Sequence, residues 1–453
     1  MILMGIVIGS GIFLTTGIMA KSIPSPGLVL FAWLVGGLLT LAGALTYAEL
    51  GAAIPEAGGQ YVYLKQAYGS LSGFLFGWIV FLVYQTGGIA ALAVGFAEYF
   101  SHFFPGLATD KFLFTAETIV FKTSFEYSLS YGQIMAIIVI VFLSFFNYIG
   151  VGLGKTIQNI FTVIKIGIVL VFIIFGLTIG KGAPGEIFFK PEGFSFSQMG
   201  IGFGIALVAV SWAFDGWNNV NFVAGEIKKP GRNLPLSLIV GTTGITLLYL
   251  LVNVVYFYAM PIQEMIGVVK IAEKATNILF GGTAAGLVSA AIIISIIGSL
   301  NGSILTGPRV YYAMAKDKLF FQRVASVHPR FHTPAFAIVI QCIWSCLLAL
   351  SGTFEQLITF VMVVSIMFWI AATASVFTLR KKFPDMPRPY KTWGYPYIPI
   401  IFIIASSGIL INALIEKPVE SLAGIGITIL GIPVYYFWKK RSKNFVRVNP
   451  IAD

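Results

Sequence analysis

Apolar runs long enough to cross a bilayer recur along this chain, and no other feature narrows its possible folds so far. Runs such as Ile134–Phe146 and Ile166–Ile179 contain no charged residue. Of 453 residues, 57% are hydrophobic and only 10% charged, where a soluble protein needs about a quarter charged to keep its surface wet. Lipid must therefore cover much of the surface. In lipid only helices and closed barrels satisfy their backbone groups. Barrel strands alternate apolar and polar residues over about ten positions. These runs are continuous instead, so the fold class is an all-α polytopic membrane protein.

At about 20 apolar residues per span, helices are expected near 1–20, 27–52, 72–100, 131–149, 156–180 and 200–225. Six more are expected near 235–260, 282–313, 335–351, 355–379, 396–415 and 420–438. The loops are short except 101–130 and the segments 181–199, 261–281 and 314–334, so residues 1–453 form one transmembrane domain. With alternating spans and a cytoplasmic N-terminus, twenty of the 29 Lys and Arg fall on the cytoplasmic side. Eight fall outside, including Lys111, Lys122, Lys190 and Lys270, and Lys165 lies within a span. The positive-inside rule then places both termini in the cytoplasm. That distribution also accounts for the net charge of +11 without a nucleic-acid partner.

Two spans carry helix breakers in their middles. The first holds Gly9-Ser10-Gly11, and the sixth holds Phe214-Asp215-Gly216-Trp217-Asn218. Glycine weakens a helix and a carboxylate is costly in hydrocarbon, so both spans are expected to unwind there. They lie five spans apart, which predicts two five-helix repeats and a binding site at the paired breaks. Unwinding frees N–H groups at one half-helix start, suited to a carboxylate, and C=O groups at the other end, suited to an ammonium. A zwitterionic α-amino acid supplies both. Glycines that merely let helices pack closely would give Gly9–Gly11 the same look; the matched break at Asp215–Gly216 favours a site.

Five motifs sit in order along nearly the whole chain: GSGIF (9–13), YAELGAAIPEAGGQYVYLKQAYG (47–69), GKTIQNIFTVIK (154–165), FDGWNNVNFVAGEIKKPGRNLP (214–235) and GSLNGSILTGPRVYYAMAKD (298–317). Through them the chain resembles the amino acid–polyamine–organocation superfamily, on its L-type amino acid transporter branch. The resemblance implies a LeuT-type 5+5 inverted repeat of about 12 helices, with repeats at 1–180 and 200–380 and two further helices at 396–438. It places the substrate carboxylate on N–H groups around Ser10 and Gly11, and the amine on carbonyls near Val7, Trp212 and Asp215. Trp212 falls where the family keeps an extracellular-side gate, though aromatic packing is the plain alternative. The candidate substrate-binding residues are Val7, Gly9, Ser10, Gly11, Trp212, Phe214, Asp215, Gly216 and Asn218.

The chain departs from the family pattern in three places. Loop 101–130 has no cysteine, whereas animal L-type light chains use one there to bond a glycoprotein, so no disulfide-linked heavy chain is expected. Asp215 stands where many members have a small residue; facing a cationic side chain and capping the following half-helix are both open. Only eight residues precede Gly9, about 12 Å of helix, which points to a start further upstream or to a fragment. The first apolar run has no basic n-region, and no cleavable signal peptide is expected.

Lys165 lies about 14 Å into the fifth span, too deep to snorkel easily. The resemblance puts it where sodium-coupled relatives bind an ion. A fixed ammonium there implies exchange, and one that gains and loses a proton implies proton-coupled symport; a packing lysine bonded to carbonyls is the bland alternative. Glu49, Glu226 and Arg309 lie near cytoplasmic span ends and are expected to be solvated at the interface, with gate pairs as the alternative. GVGLGK (150–155) follows no strand and reads as a turn between spans, which excludes a nucleotide loop. Cys342 and Cys346 sit inside an apolar span, and the three histidines lack metal-ligand spacing. No HExxH or GxSxG occurs, so no enzyme, cofactor or metal is expected.

These features together predict a secondary active transporter of neutral α-amino acids, an exchanger or a proton-coupled symporter in a bacterial inner membrane. A polyamine or cationic amino acid permease is the alternative. A membrane amino acid sensor is the rival from another class, disfavoured by the short basic C-terminal stretch.

Overall fold

The computed structural model describes residues 1–120, 123–182, 196–351 and 354–448. Lys122 and Lys190 lie outside the described residues, as do the side chains of Lys155, Lys443 and Arg447. Nine helical stretches among the described residues are long and apolar enough to cross a bilayer, and the apolar helices Gln198–Ala213 and Ala335–Ala349 are shorter. The chain is a polytopic, nearly all-helical membrane protein.

The expected first span divides into α1 (Ile2–Val7) and α2 (Ser10–Ser22), with Ile8 and Gly9 unwound between them. Then come α3 (Pro26–Ala53), the short α4 (Gln60–Tyr68), α5 (Ser70–Ile79) and α6 (Gln85–Phe100). A π-helical turn, Val80–Tyr84, joins the last two, so the span expected at 72–100 is continuous but irregular. The segment 101–130, expected as a loop, carries an antiparallel hairpin of β1 (Phe112–Val120) and β2 (Thr123–Ser130), with Phe114 opposite Leu129 and a bulge beside Phe112. Helices α7 (Tyr131–Ile149) and α8 (Val151–Thr178) follow; Ser130 Oγ accepts from Gln133 N and Gln133 Oε1 from Ser130 N, a capping box that starts α7 sharply. Because α8 begins at Val151, residues 151–155 of the glycine pattern are its first turn, not a loop.

In the second half, α9 (Phe196–Ala213) ends where the sixth span was expected to break, and turns lead into a 3-10 helix, Asn219–Glu226. Next are α10 (Pro230–Ala259), a short α11 (Ile271–Phe280) in the expected loop 261–281, α12 (Gly282–Thr306) and α13 (Pro308–Lys316). The chain closes with α14 (Ala335–Ala349), α15 (Phe354–Lys382), α16 (Tyr397–Glu416) and α17 (Pro418–Val448).

Burial sorts these helices by the solvent each meets. Residues around the break of the first span, including Ile8, Ile12 and Leu14, are fully buried, and α2 packs on α9. Residues Ile138, Val141, Phe142 and Phe145 of α7 are about half exposed, as are Ile160, Val163 and Ile174 of α8. An outward apolar face on a helix among buried ones is a lipid-facing face.

Contacts between helix ends correct the expected interfacial solvation of Glu49 and of Arg309, whose side chain is only 7% exposed. Glu49 is not solvated: its side chain is 2% exposed and accepts from Arg380 Nε at 2.8 Å, Arg380 Nη2 at 2.6 Å and Thr392 N at 2.6 Å. Arg388 Nε lies 3.5 Å away, and the Arg380 guanidinium stacks 3.6 Å from the Tyr395 ring. Arg309 Nε donates to Glu226 at 3.0 Å, so that pair forms too, although the Glu226 side chain is 51% exposed. Glu49→Gln is expected to lower stability by about 3 kcal/mol, because two cations lose a buried partner. Glu226→Gln is expected to change it by less than about 1 kcal/mol, because water screens the pair. Thermal unfolding of both variants in detergent checks this; equal shifts would refute the ranking.

At the same end α4 is pinned by Asp317, which accepts from Lys65 Nζ and Tyr61 Oη, both at 2.6 Å. Burial and the Asp317 carboxylate push the Tyr61 phenol upward, so it remains a donor at any physiological pH.

Candidate functional site

The two breaks meet at the centre of the bundle because glycine lets them. A Cβ at Gly11 would overlap the backbone of Ala213, so α2 and the end of α9 touch only while residue 11 lacks a side chain. Gly216 adopts φ +90°, a conformation that glycine reaches without strain, and turns the chain where a Cβ would collide with Ile6.

Between the breaks lies a cavity lined by Ile6, Val7, Gly9, Ser10, Gly11, Trp212 and Asp215, completed by Tyr84, Gln85, Asn219 and Ser303. Its volume of about 30 Å³ is room for roughly one water, so an amino acid enters only when the helices rearrange. On one wall α2 begins at Ser10, and the first N–H groups of a helix have no intrahelical acceptor. The Ser10 hydroxyl is fully buried without a hydrogen-bond partner among the described residues. N–H groups and a hydroxyl converging at a helix start form a site for a carboxylate.

Carbonyls released by the break at Ile8–Gly9 are taken up mostly by side chains. Lys165, fully buried, donates to Gly5 O at 2.7 Å, Ile8 O at 2.7 Å and Ser299 Oγ at 3.0 Å. Those three bonds use all three donors of an ammonium. Ser295 Oγ also donates to Ile8 O, at 3.0 Å. The negative end of the helix dipole at the break favours an ammonium held in this oxygen cage. The Val7 and Trp212 carbonyls, expected to receive a substrate amine, already accept from Tyr249 Oη at 2.8 Å and Asp215 N at 2.9 Å.

Asp215 does not cap the following helix, which begins four residues later at Asn219 without a side-chain cap. Its carboxylate lines the cavity instead and accepts from Tyr84 Oη at 3.0 Å. Among the described residues no Lys or Arg lies within 4.0 Å of it. A half-buried carboxylate without a cation favours a cationic group on whatever fills the cavity.

Val7, Gly9, Ser10, Gly11, Trp212 and Asp215 are thus brought together, and three other candidates stand back from the cavity. Phe214 packs against Trp33 and Tyr249, with ring centroids 6.3 and 5.2 Å away. Gly216 makes the turn. Asn218 Nδ2 donates to Gln60 Oε1 at 2.6 Å and Asn218 Oδ1 lies 3.1 Å from Tyr84 Oη, which holds Tyr84 in place. Tyr84, Gln85, Asn219 and Ser303 escaped the sequence reading. Asn219 and Ser303 lie within the motifs at 214–235 and 298–317, whereas Tyr84 and Gln85 show only as polarity inside an apolar run, FLVYQTGG, and the π-helical turn that delivers Tyr84 leaves no mark in the hydropathy.

Residues 1–436 match the family described as amino acid permease. The chain is 33% identical over 447 residues to the serine/threonine exchanger SteT of Bacillus subtilis (strain 168), covering 97% of this chain and 95% of that protein. It is 31% identical to the human large neutral amino acids transporter small subunit 2, over 98% of this chain and 80% of the relative. To the human b(0,+)-type amino acid transporter 1 it is 29% identical, over 96% and 85%.

Proposed function

Because the chain belongs to the amino acid permeases of the amino acid–polyamine–organocation superfamily, we propose that it exchanges neutral α-amino acids across a membrane by alternating access. The observation that carries this reading is the Ser10–Gly11 helix start, whose hydroxyl has no partner among the described residues, facing a cavity between the two broken helices. A substrate carboxylate takes those donors, and its amine meets backbone carbonyls around Val7. Lys165 stands in for the coupling cation. An ammonium supplied by the chain itself takes the place of a transported ion, which favours one-for-one exchange over ion-driven uptake. Relatives named as an exchanger and as a carrier of neutral amino acids support both points.

In this reading the chain crosses the membrane twelve times, with five-helix repeats at 1–180 and 200–380 and helices at 396–438 added. Trp212 is the gate on the outer side of the cavity. The Lys and Arg distribution puts both termini in the cytoplasm, and the natural setting is a bacterial inner membrane. With no cysteine in 101–130, it works without a disulfide-linked partner.

Proteoliposomes test the mechanism. Uptake of a radiolabelled amino-acid mixture is expected only into vesicles preloaded with amino acid. Uptake into empty vesicles that rises with an inward proton gradient would replace exchange by symport, and binding without flux would make the protein a sensor.

Asp215 supports a second reading, cationic substrates, because among the described residues its carboxylate has no cation within 4.0 Å. Asp215→Asn keeps the shape and the Tyr84 contact. It is expected to weaken inhibition by lysine or arginine at least about tenfold and to alter the KM for neutral amino acids by less than about threefold. Competition uptake measures both, and a matching loss for neutral substrates would assign Asp215 to the shared amino group.

A further inference from the structure

Far from the breaks, α13 ends in a way that draws notice to one lysine. Lys318 N donates to Ala315 O and Leu319 N to Met314 O, both at 3.0 Å, the paired bonds of a Schellman ending. The residue between them must be left-handed, and Lys318 has φ +61° at a position where glycine is the residue without strain. The conformation holds a cation at the mouth of a cavity of about 390 Å³.

Lys318, Arg323 and Arg441 supply the charge of that cavity, and Phe321, Phe336 and Trp438 its walls. Phe321 meets Trp438 edge-on at 5.0 Å, and the Arg441 guanidinium lies 5.7 Å from the Trp438 ring. Among the described residues no carboxylate comes within 4.0 Å of any of the three cations. From Phe336 an exposed apolar stripe continues along one face of α14 through Val339, Ile343 and Leu347, at helical spacings of three and four.

We propose that this cavity is a binding site for an anionic phospholipid. Its phosphate lies among Lys318, Arg323 and Arg441, and an acyl chain follows the stripe from Phe336 to Leu347. Three exposed cations with no carboxylate beside them attract an anion, and the stripe distinguishes a lipid from a free one, since a water-soluble phosphate would use only the mouth. Each cation is expected to shift the preference for an anionic over a zwitterionic lipid about fivefold.

The test uses the full chain in phosphatidylcholine nanodiscs carrying a small fraction of brominated phosphatidylglycerol or brominated phosphatidylcholine, with tryptophan quenching as the readout. Brominated phosphatidylglycerol is expected to quench at a lower mole fraction, and most of that excess to vanish in Trp438→Phe. Lys318→Gly, which relieves the left-handed backbone and so preserves the fold, should reduce the preference about fivefold, and with Arg441→Gln about 25-fold. An unchanged preference in that double variant would overturn the site. So would an equal loss from Lys439→Gln with Lys440→Gln, which removes the same charge from α17 outside the cavity. Displacement of the brominated lipid by millimolar inorganic phosphate would assign the cavity to a free anion and overturn the lipid.

Discussion

Lys165→Ala is expected to lower the initial rate of exchange in proteoliposomes about 100-fold, equivalent to about 2.7 kcal/mol. The substitution removes three buried hydrogen bonds at once and leaves Gly5 O with only the longer 3.3 Å contact from Ser299 Oγ, while Ile8 O keeps Ser295. An undersatisfied buried polar group costs about 1–3 kcal/mol, so the half-helix Ile2–Val7 loses its side-chain anchor to α8. Lys165→Met separates charge from packing, because it fills nearly the same volume without a donor. If Met and Ala fail alike while the purified proteins unfold within a few degrees of the parent, the ammonium is the essential element. The vacated cage of Gly5 O, Ile8 O, Ser295 and Ser299 is made of oxygens, the ligands of hard cations, so the alanine variant should gain thermal stability in sodium over choline. Exchange at the parental rate with an unchanged pH profile would reduce Lys165 to a packing residue.

Gly11→Val should abolish exchange, again by about 100-fold or more, through contact rather than charge. Its first side-chain carbon would fall on the backbone of Ala213, which cannot move aside as a flexible side chain can. The variant must hold α2 and α9 apart, which opens the cavity wall and moves the Ser10 and Gly11 N–H groups. Gly11→Ala should lose less, and adding Ala213→Gly should recover part of that loss, since the second change removes the methyl an alanine at 11 would meet. A double-mutant cycle reads this coupling directly. Additive losses would mean that the close approach of the two breaks is incidental to transport.

The membrane class and both interruptions were legible without a fold, because hydropathy and helix propensity belong to contiguous residues. Gly9–Gly11 and Asp215–Gly216 break their helices wherever those helices pack. Lys165 was legible for a related reason: one charge in an apolar run stands out whatever its partners. Tyr84 and Gln85 were not, since a tyrosine and a glutamine in a span can face lipid, a neighbour or a cavity, and the choice depends on the π-helical turn before them. The 101–130 segment shows the same limit, because its strands are defined by pairing with each other.

What the sequence by itself determined was the solvent around this protein, the two points where its helices unwind and the presence of a charge that needs a cage. Tertiary structure alone decided which groups meet there. Asp215 finds Tyr84 across 131 residues and Glu49 finds Arg380 across 331, so the first becomes part of the cavity and the second a buried clasp. The physical reason is one of range. Unwinding and lipid burial are settled within a few residues of chain, whereas hydrogen bonds and ion pairs act over about 3 Å between groups that only helix packing brings together.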